Sequence, residues 1–421
     1  MIRVLWFEHS LPGRYMDVGK VQNGWTDSLE RIVQKMSDIQ LGVAFDATDI
    51  SQKNKDVDGI LYYPIQINYS IFDRIVSKFS YSVYRNKLIF ECSKIINTYK
   101  PDIIQVFGTE FPYAQVSKFI DIPIVIHILG AVIPYVNSYY PPGVSHVGNY
   151  FSVPFWNVKR MISHFLGNWK MKSWAKIEKE TWGMVSYYMG RTNWDRRLSE
   201  VLHPGRHYYC VNEALRKDFF ETNHKWNYPS GGKLRLITTG CGTYWKGPDM
   251  LLKVAQILTN LDVDFEWILC GKMPDSIKRE FEKRYNTTYE ENHVQFVGFV
   301  NAEKLIELLC SSSVYIHTAY IENSPNSICE AQLLGVPIVS TNVGGISSFV
   351  RDGIDGYLVP ANDPWQMVGA IMDLCRDKNK LNDMSKKSRS LALDRHSDDS
   401  IGTQLFSAYM QIIKEWETRA L

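Results

Sequence analysis

The chain has 421 residues, 45% hydrophobic and 22% charged, with a formal net charge of +2. That balance supports sizeable hydrophobic cores and excludes a disordered chain, and the length favours more than one domain. The near-neutral charge gives no basis for general nucleic-acid binding, so no nucleic acid is expected as a partner.

The 7 cysteines are odd in number, widely spaced and form no C-x-x-C. They read as free thiols of a reducing cytosol rather than a disulfide framework or zinc site. The 12 Trp and 24 Tyr suit carbohydrate contact or a membrane interface, and equally core packing. The opening "MIRVLWFEHS" reads as a strand, not a signal peptide. The longest apolar tract, "IPIVIHILGAVIPY", is too short to span a bilayer. A cytoplasmic protein is expected, at most peripheral at the inner face of a membrane.

Short apolar runs alternate with amphipathic stretches, the pattern of βα units. "IRVLWF" is a strand, followed by the glycine-bearing loop "EHSLPGRYMDVGKVQNG" and a helix from about Trp25 to Met36. "DIIQVFG" and "IPIVIHILG" are strands flanking a helix near Pro112–Phe119. "MVSYYMG" is a strand running into a helix that Thr192 and Asp195 cap as T-x-x-D. The pattern lapses over His203–Gly232, then resumes with "LRLITTG", "FEWILCG", "SVYIHTAY" and "PIVST" as strands alternating with helices. From about Ser397 the tail is one long amphipathic helix. The fold class expected is α/β: two Rossmann-like parallel-sheet domains facing a central cleft. Residues 1–205 form the first domain, completed by about 398–421, and residues 206–397 the second.

In such sheets ligands bind at the carboxyl ends of strands, beside helix N-termini. "IENSPNSICEAQLLGVPIVSTNVGG" follows a strand and places Glu322 at that end. Ser324 is expected as N-cap and Pro325 as first helical residue, leaving the amides of Asn326 and Ser327 as an anion site fit for a diphosphate. Glu330, two turns on, can accept paired hydrogen bonds from a ribose diol. The glycines ending "PIVSTNVGG" let a second loop approach the same ligand. The bland alternative is a capped helix with two solvated glutamates. In "GTYWKG", Lys246 sits at the same end and would stabilise a diphosphate leaving group; otherwise it is a solvated surface charge. "DVD" at Asp262–Asp264 precedes its strand, at the wrong end for a ligand, so no metal is expected there and no cofactor is implied.

These residues resemble the E-x7-E region of retaining glycosyltransferases of family 4, which have the GT-B fold. "YWKG" is similar to that family's Lys-Gly element, "ILCGK" (with Gly271) to its strand-glycine turn, and "VQFVGFV" to a base-lining segment. The resemblance runs through most of the chain and is strongest from about Leu234 to Pro360. It implies transfer of a sugar, with retention, from a nucleotide diphosphate donor of UDP or GDP type to a saccharide or lipid-linked saccharide acceptor. It implies that Glu322 contacts the donor sugar, Glu330 the ribose and Lys246 the diphosphate. His127 takes the place of a first-domain histidine facing the donor sugar, or is a satisfied core histidine. The family's usual phosphate-binding Arg is missing before Lys246. The amides of Gly242 and Thr243 could serve instead, or Arg191 could reach in. The rival activities are a GT-B epimerase or phosphorylase and an inactive nucleotide-sugar-binding subunit.

Residues 151–182 interleave Phe155, Trp156, Phe165, Trp169 and Trp174 with Lys159, Arg160, Lys170, Lys172 and Lys176. Such a stretch suits an anionic membrane surface, or packs its aromatics on the first domain and leaves its lysines in water.

Overall fold

The computed structural model describes residues 1–16, 24–49, 51–77, 81–144, 158–229 and 233–419. The chain divides into two compact units: Met1–Asn137 with Ser145–Ala214 and His396–Leu421, and Ser138–Val144 with Leu215–Arg395.

The first unit is built on β1 (Ile2–Glu8), β2 (Ile39–Asp46), β3 (Lys55–Val57), β4 (Ile60–Ile65), β5 (Ile103–Phe107), β6 (Ile124–His127), β7 (Tyr187–Gly190) and β8 (His207–Cys210). They lie in the order β3-β4-β2-β1-β5-β6-β7-β8. Pairing is parallel except between β3 and β4. The run "VLWF" in β1 is apolar throughout because both faces are covered. Its side chains alternate between two cores. Val4 and Trp6 join Ile401, Leu405 and Tyr409 of the C-terminal helix Asp398–Arg419. Leu5 and Phe7 join Leu88, Cys92 and Ile96 of the helix Ser82–Tyr99.

The C-terminal helix belongs to the first unit. Trp6 Nε1 donates to Tyr409 Oη at 2.9 Å, and the Tyr409 hydroxyl donates to Gln105. The Arg31 guanidinium forks onto Asp398 at the start of that helix, where a carboxylate also suits the helix dipole.

The second unit carries β9 (Leu234–Thr239), β10 (Phe265–Cys270), β11 (Val294–Gly298), β12 (Val314–His317), β13 (Ile338–Thr341) and β14 (Tyr357–Val359), in the order β11-β10-β9-β12-β13-β14. Every pairing in this sheet is parallel. The strand order reverses between β1 and β5 in the first sheet and between β9 and β12 in the second. Those reversals are the points where open α/β sheets bind ligands.

The boundary falls after Ala214, not after residue 205. The lapse in pattern conceals β8, which pairs with β7 from Tyr187↔His207 onward. It is only four residues long, HYYC, too short to show an alternation among the turn formers around it. The Thr192–Asp195 capping box forms as expected.

Within 151–182, a helix spans Val158–Trp182. Phe155 and Trp156 lie outside the described residues, as do the side chains of Lys159, Arg160, Phe165 and Lys170. The last turns of this helix pack inward. Trp174 Nε1 donates to the Glu110 carbonyl, and Trp182 stacks on Tyr188 at 5.0 Å. Glu178 accepts from the Val132 and Ile133 amides at 2.8 Å each and from Thr109 Oγ1 at 2.6 Å. A buried carboxylate thus satisfies the start of the helix Val132–Asn137. Trp169, Lys172 and Lys176 are exposed. Among the described residues, no helix is long and apolar enough to cross a membrane.

Candidate functional site

The second unit gathers its sequence-predicted residues at the β9/β12 reversal. After β9 the chain makes a short turn, Gly240–Thr243, and a single 3-10 turn, Tyr244–Lys246. Gly247, at φ 72°, then opens the helix Pro248–Asn260. After β12 the chain runs from Thr318 to Pro325 without regular structure, bending at Tyr320 and Asn323, and enters the helix Asn326–Leu334. The two segments are stitched together. Thr318 Oγ1 donates to the Lys246 carbonyl at 2.9 Å, and the Tyr320 amide donates to the Trp245 carbonyl at 2.7 Å. A Cβ on Gly247 would lie 2.0 Å from the Thr318 carbonyl oxygen, so only glycine permits this approach.

That stitching brings Lys246 and Glu322 into direct contact: the ammonium donates to Glu322 Oε2. The lysine is partly exposed and the glutamate side chain largely covered. The pair offers one mobile cation and one fixed carboxylate at the carboxyl end of the sheet.

The Glu322 backbone is held from its other side. Gly345 N donates to the Glu322 carbonyl at 2.9 Å. Gly344 adopts φ 53°, and a Cβ there would lie 1.8 Å from the same oxygen. The Gly-Gly turn after β13 thus sits against the backbone of Glu322. The glycine pair thus serves as the seat of the first glutamate.

The helix start also differs by one residue from expectation. Pro325 is itself the N-cap, with φ −75° and ψ 112°, and Ser324 precedes it. Proline cannot lend a side-chain acceptor. The first helical donors to Pro325 O are Ile328 N at 3.0 Å and Cys329 N at 3.3 Å. The amides of Asn326 and Ser327 lie ahead of them at the positive end of the helix dipole.

Glu330 is buried one helical face along, and a residue that sequence reasoning missed meets it there. Arg216 Nε donates to Oε1 at 2.7 Å and Nη2 to Oε2 at 2.7 Å. The arginine lies in "NEALRKDFF", inside the stretch where periodicity fails. Spacing gives no sign of it, because its partner is 114 residues away.

His317, at the end of β12, was also missed. Its Nδ1 lies 3.3 Å from Ser340 Oγ and its Nε2 4.0 Å from Glu322 Oε2. Burial, and then the Lys246 charge, push its pKa down to about 3, so the ring is neutral. A histidine ending an apolar strand looks like core in sequence, and only the fold brings it beside the carboxylate.

Gly242, Thr243 and Gly271 lie around the same carboxyl ends. A Cβ on Gly242 would approach the Lys272 carbonyl oxygen to 2.4 Å, so the β9 and β10 turns are in close contact. Gly271, at φ 99°, bonds its amide to the Gly298 carbonyl at 2.7 Å. Thr243 accepts the Lys246 amide at 3.1 Å, closing the 3-10 turn. Asp262 is a positive-φ turn residue at the amino end of β10, where the sequence placed it.

His127 and Arg191 belong to the first unit. His127 is fully buried at the end of β6, with Nδ1 3.3 Å from Gln105 Nε2 and its ring against Trp25 at 4.9 Å. Burial, and then the Arg191 charge, hold its pKa well below the usual imidazole range. Arg191 Nε donates to Glu213 Oε2 at 2.6 Å, Nη1 to the Ile128 carbonyl at 3.2 Å, and the guanidinium lies over Trp25. It is the cation of a buried ion pair. The first sheet's reversal holds a second network that the sequence did not announce. His9, after β1, stacks on Phe111, after β5, at 3.9 Å, and His9 Nδ1 lies 2.9 Å from Asp46 Oδ2. Tyr84 and Tyr113 also donate to Asp46, at 2.6 and 2.7 Å.

Comparison with known proteins bears on the fold. Over its whole length the chain is similar to a sucrose-phosphate synthase from Thermosynechococcus elongatus, with a TM-score of 0.70 at 14% identity over 99% of this chain and 100% of that one. It is likewise similar to Anabaena HepE in complex with UDP-glucose, with a TM-score of 0.64 at 14% identity over 98% and 100%. These likenesses establish the GT-B architecture of two Rossmann-like units. In sequence, a D-inositol 3-phosphate glycosyltransferase of Paenarthrobacter aurescens is 29% identical over 34% of this chain and 35% of its own length. An N-acetyl-alpha-D-glucosaminyl L-malate synthase of Bacillus anthracis is 24% identical over 49% of this chain and 54% of its own. The chain thus spans between about a third and a half of these relatives. Residues 220–391, which hold Lys246, Glu322 and Glu330, match the family model described as Glycosyl transferases group 1, and the second unit is built on that segment.

Proposed function

We propose that the protein is a retaining glycosyltransferase that moves a sugar from a nucleotide diphosphate sugar to a saccharide or lipid-linked saccharide acceptor. The observation that carries this reading is the Lys246–Glu322 pair at the β9/β12 reversal, directly ahead of the helix that bears Glu330. The likeness to HepE bound to UDP-glucose supports a uridine donor among the UDP and GDP candidates.

In this reading the diphosphate sits at the mouth of the helix Asn326–Leu334, against the Asn326 and Ser327 amides, and draws the Lys246 ammonium off Glu322. The lysine then neutralises charge growing on the leaving diphosphate. Glu322, seated by Gly344 and Gly345, receives hydroxyls of the donor sugar as its cation departs, and His317 stands beside it. Glu330 takes the ribose. The acceptor hydroxyl attacks from the face the diphosphate leaves, and the departing oxygen takes its proton, so no carboxylate serves as nucleophile. The exposed Trp169, Lys172 and Lys176 support docking of a lipid-linked acceptor at an anionic surface.

The test is Lys246→Ala. Losing a charge-assisted bond of roughly 1.5–3 kcal/mol should lower UDP or GDP affinity by about 10- to 100-fold in calorimetric titration. Unchanged affinity in a folded variant would remove the lysine, and with it the diphosphate, from this site.

A further inference from the structure

The reading above gives Glu330 the ribose, yet Glu330 is a buried carboxylate, and what it can do depends on what holds it. We propose that Arg216 is a positioning residue that fixes Glu330, ionised and in one orientation, as the acceptor for both ribose hydroxyls. It thereby makes the site select ribonucleoside over 2′-deoxyribonucleoside diphosphates. The proposal rests on the nucleotide reading and goes beyond it.

The geometry is a fork. Nε and Nη2 of one guanidinium meet the two oxygens of one carboxylate, each at 2.7 Å. Two parallel bonds fix the plane of the carboxylate as well as its position, which a single ammonium contact cannot do. A carboxylate offers about four acceptor sites, and the fork uses two of them, one on each oxygen.

The fork is itself anchored. The guanidinium lies over the Phe219 ring at 4.8 Å. Leu215 and Phe219 on either side of it are buried in the core of the second unit. Further along, Trp226 N donates to the Leu334 carbonyl at 3.0 Å, tying this segment to the last turn of the helix that carries Glu330. Arginine and glutamate are thus held at two points along one helix.

The charge argument agrees. With its side chain 7% exposed, Glu330 sits where an unpaired carboxylate takes up a proton rather than stay charged. A protonated carboxyl loses acceptor capacity and offers one O–H. Without Arg216, Glu330 would lose the fork that fixes its plane and the cation that faces it.

The experiment compares UDP with 2′-deoxy-UDP, and GDP with 2′-deoxy-GDP, by calorimetric titration on the full chain. In the wild type the ribonucleotide should bind on the order of 10- to 100-fold tighter than its deoxy form, the worth of one hydrogen bond to a charged acceptor. In Arg216→Gln that ratio should fall to about 3-fold or less, with affinity for the deoxy form little changed. Arg216→Lys, which keeps the charge and loses the fork, should give an intermediate ratio. It also carries the test should the glutamine variant fail to fold. A ratio unchanged in both variants means that Arg216 only stabilises the fold and overturns the proposal. A wild type that binds ribo- and deoxy-forms equally overturns it while leaving the nucleotide site intact. A wild type that binds none of the four overturns the nucleotide reading itself, and the proposal with it.

Discussion

Glu322 is seated by a glycine, and replacing that glycine should disturb both stability and chemistry. Gly344→Ala meets two penalties. The first is conformational: at φ 53° an alanine loses about 1 kcal/mol relative to glycine. The second is steric. A Cβ 1.8 Å from the Glu322 carbonyl oxygen lies far inside the 3.0 Å below which Cβ contacts essentially do not occur, so one backbone must retreat by more than 1 Å. Retreat breaks the Gly345 N to Glu322 O bond, worth about 1 kcal/mol, and adds strain of about 1–3 kcal/mol. Gly353→Ala is the control: φ is 71° there, and no atom lies within 4 Å of the Cβ. In differential scanning calorimetry the control should lower the second unit's Tm by about 2–4 °C and Gly344→Ala by about 6 °C or more. A carboxylate displaced by 1 Å should cut donor hydrolysis by about 100-fold. Equal Tm shifts for the two alanines, with hydrolysis intact, would show that the close approach does not constrain Glu322.

The two glutamates should separate by assay. Glu330→Gln should weaken binding of the free nucleoside diphosphate by roughly 10-fold or more, whereas Glu322→Gln should spare it and lower turnover; the reverse pattern exchanges their roles. Burial, and then the charges of Glu30 and Asp27, push the Glu8 carboxyl up to about 8 from a usual value of 4.5. The folded state therefore keeps a proton that the unfolded chain loses, and this contribution, full below pH 4.5, is lost as pH rises toward 8. Glu8→Gln should flatten the fall in Tm between pH 5 and 8; a slope equal to that of the wild type would place the titration elsewhere. Sedimentation with anionic liposomes should be seen at low salt and fade as salt screens Lys172 and Lys176. A protein that stays in the supernatant at low salt would assign the aromatic helix to packing alone.

What could be read from the sequence was whatever local pattern encodes. Apolar runs such as "VLWF" and "SVYIH" gave strands, Thr192 and Asp195 gave a helix start, and the order strand–glutamate–Ser-Pro–glutamate placed the site at the carboxyl end of a sheet. Lys246 and Glu322 were each placed at that end by their own segments, so their meeting followed once β9 and β12 proved adjacent. What escaped depends on distant partners. Arg216 is one charge in an aperiodic stretch until Glu330 is folded against it, and β8 is too short, at four residues, to show a period. Arg191 likewise needs the fold: its partner Glu213 lies on a later segment that spacing does not link to it.

The helix Asp398–Arg419 packs on a sheet whose first strand begins at Ile2, with the whole second unit between them in the chain. During synthesis the apolar face formed by Val4, Trp6 and Val43 stays open until the last turns emerge, while the intervening unit already holds all of its own strands. The order of completion is thus inverted: the unit synthesised second can finish first. Shortening the chain by this one helix would expose the Trp6 face rather than trim an edge, so a truncated first unit should aggregate where the second unit, Ser138–Val144 with Leu215–Arg395, keeps its core.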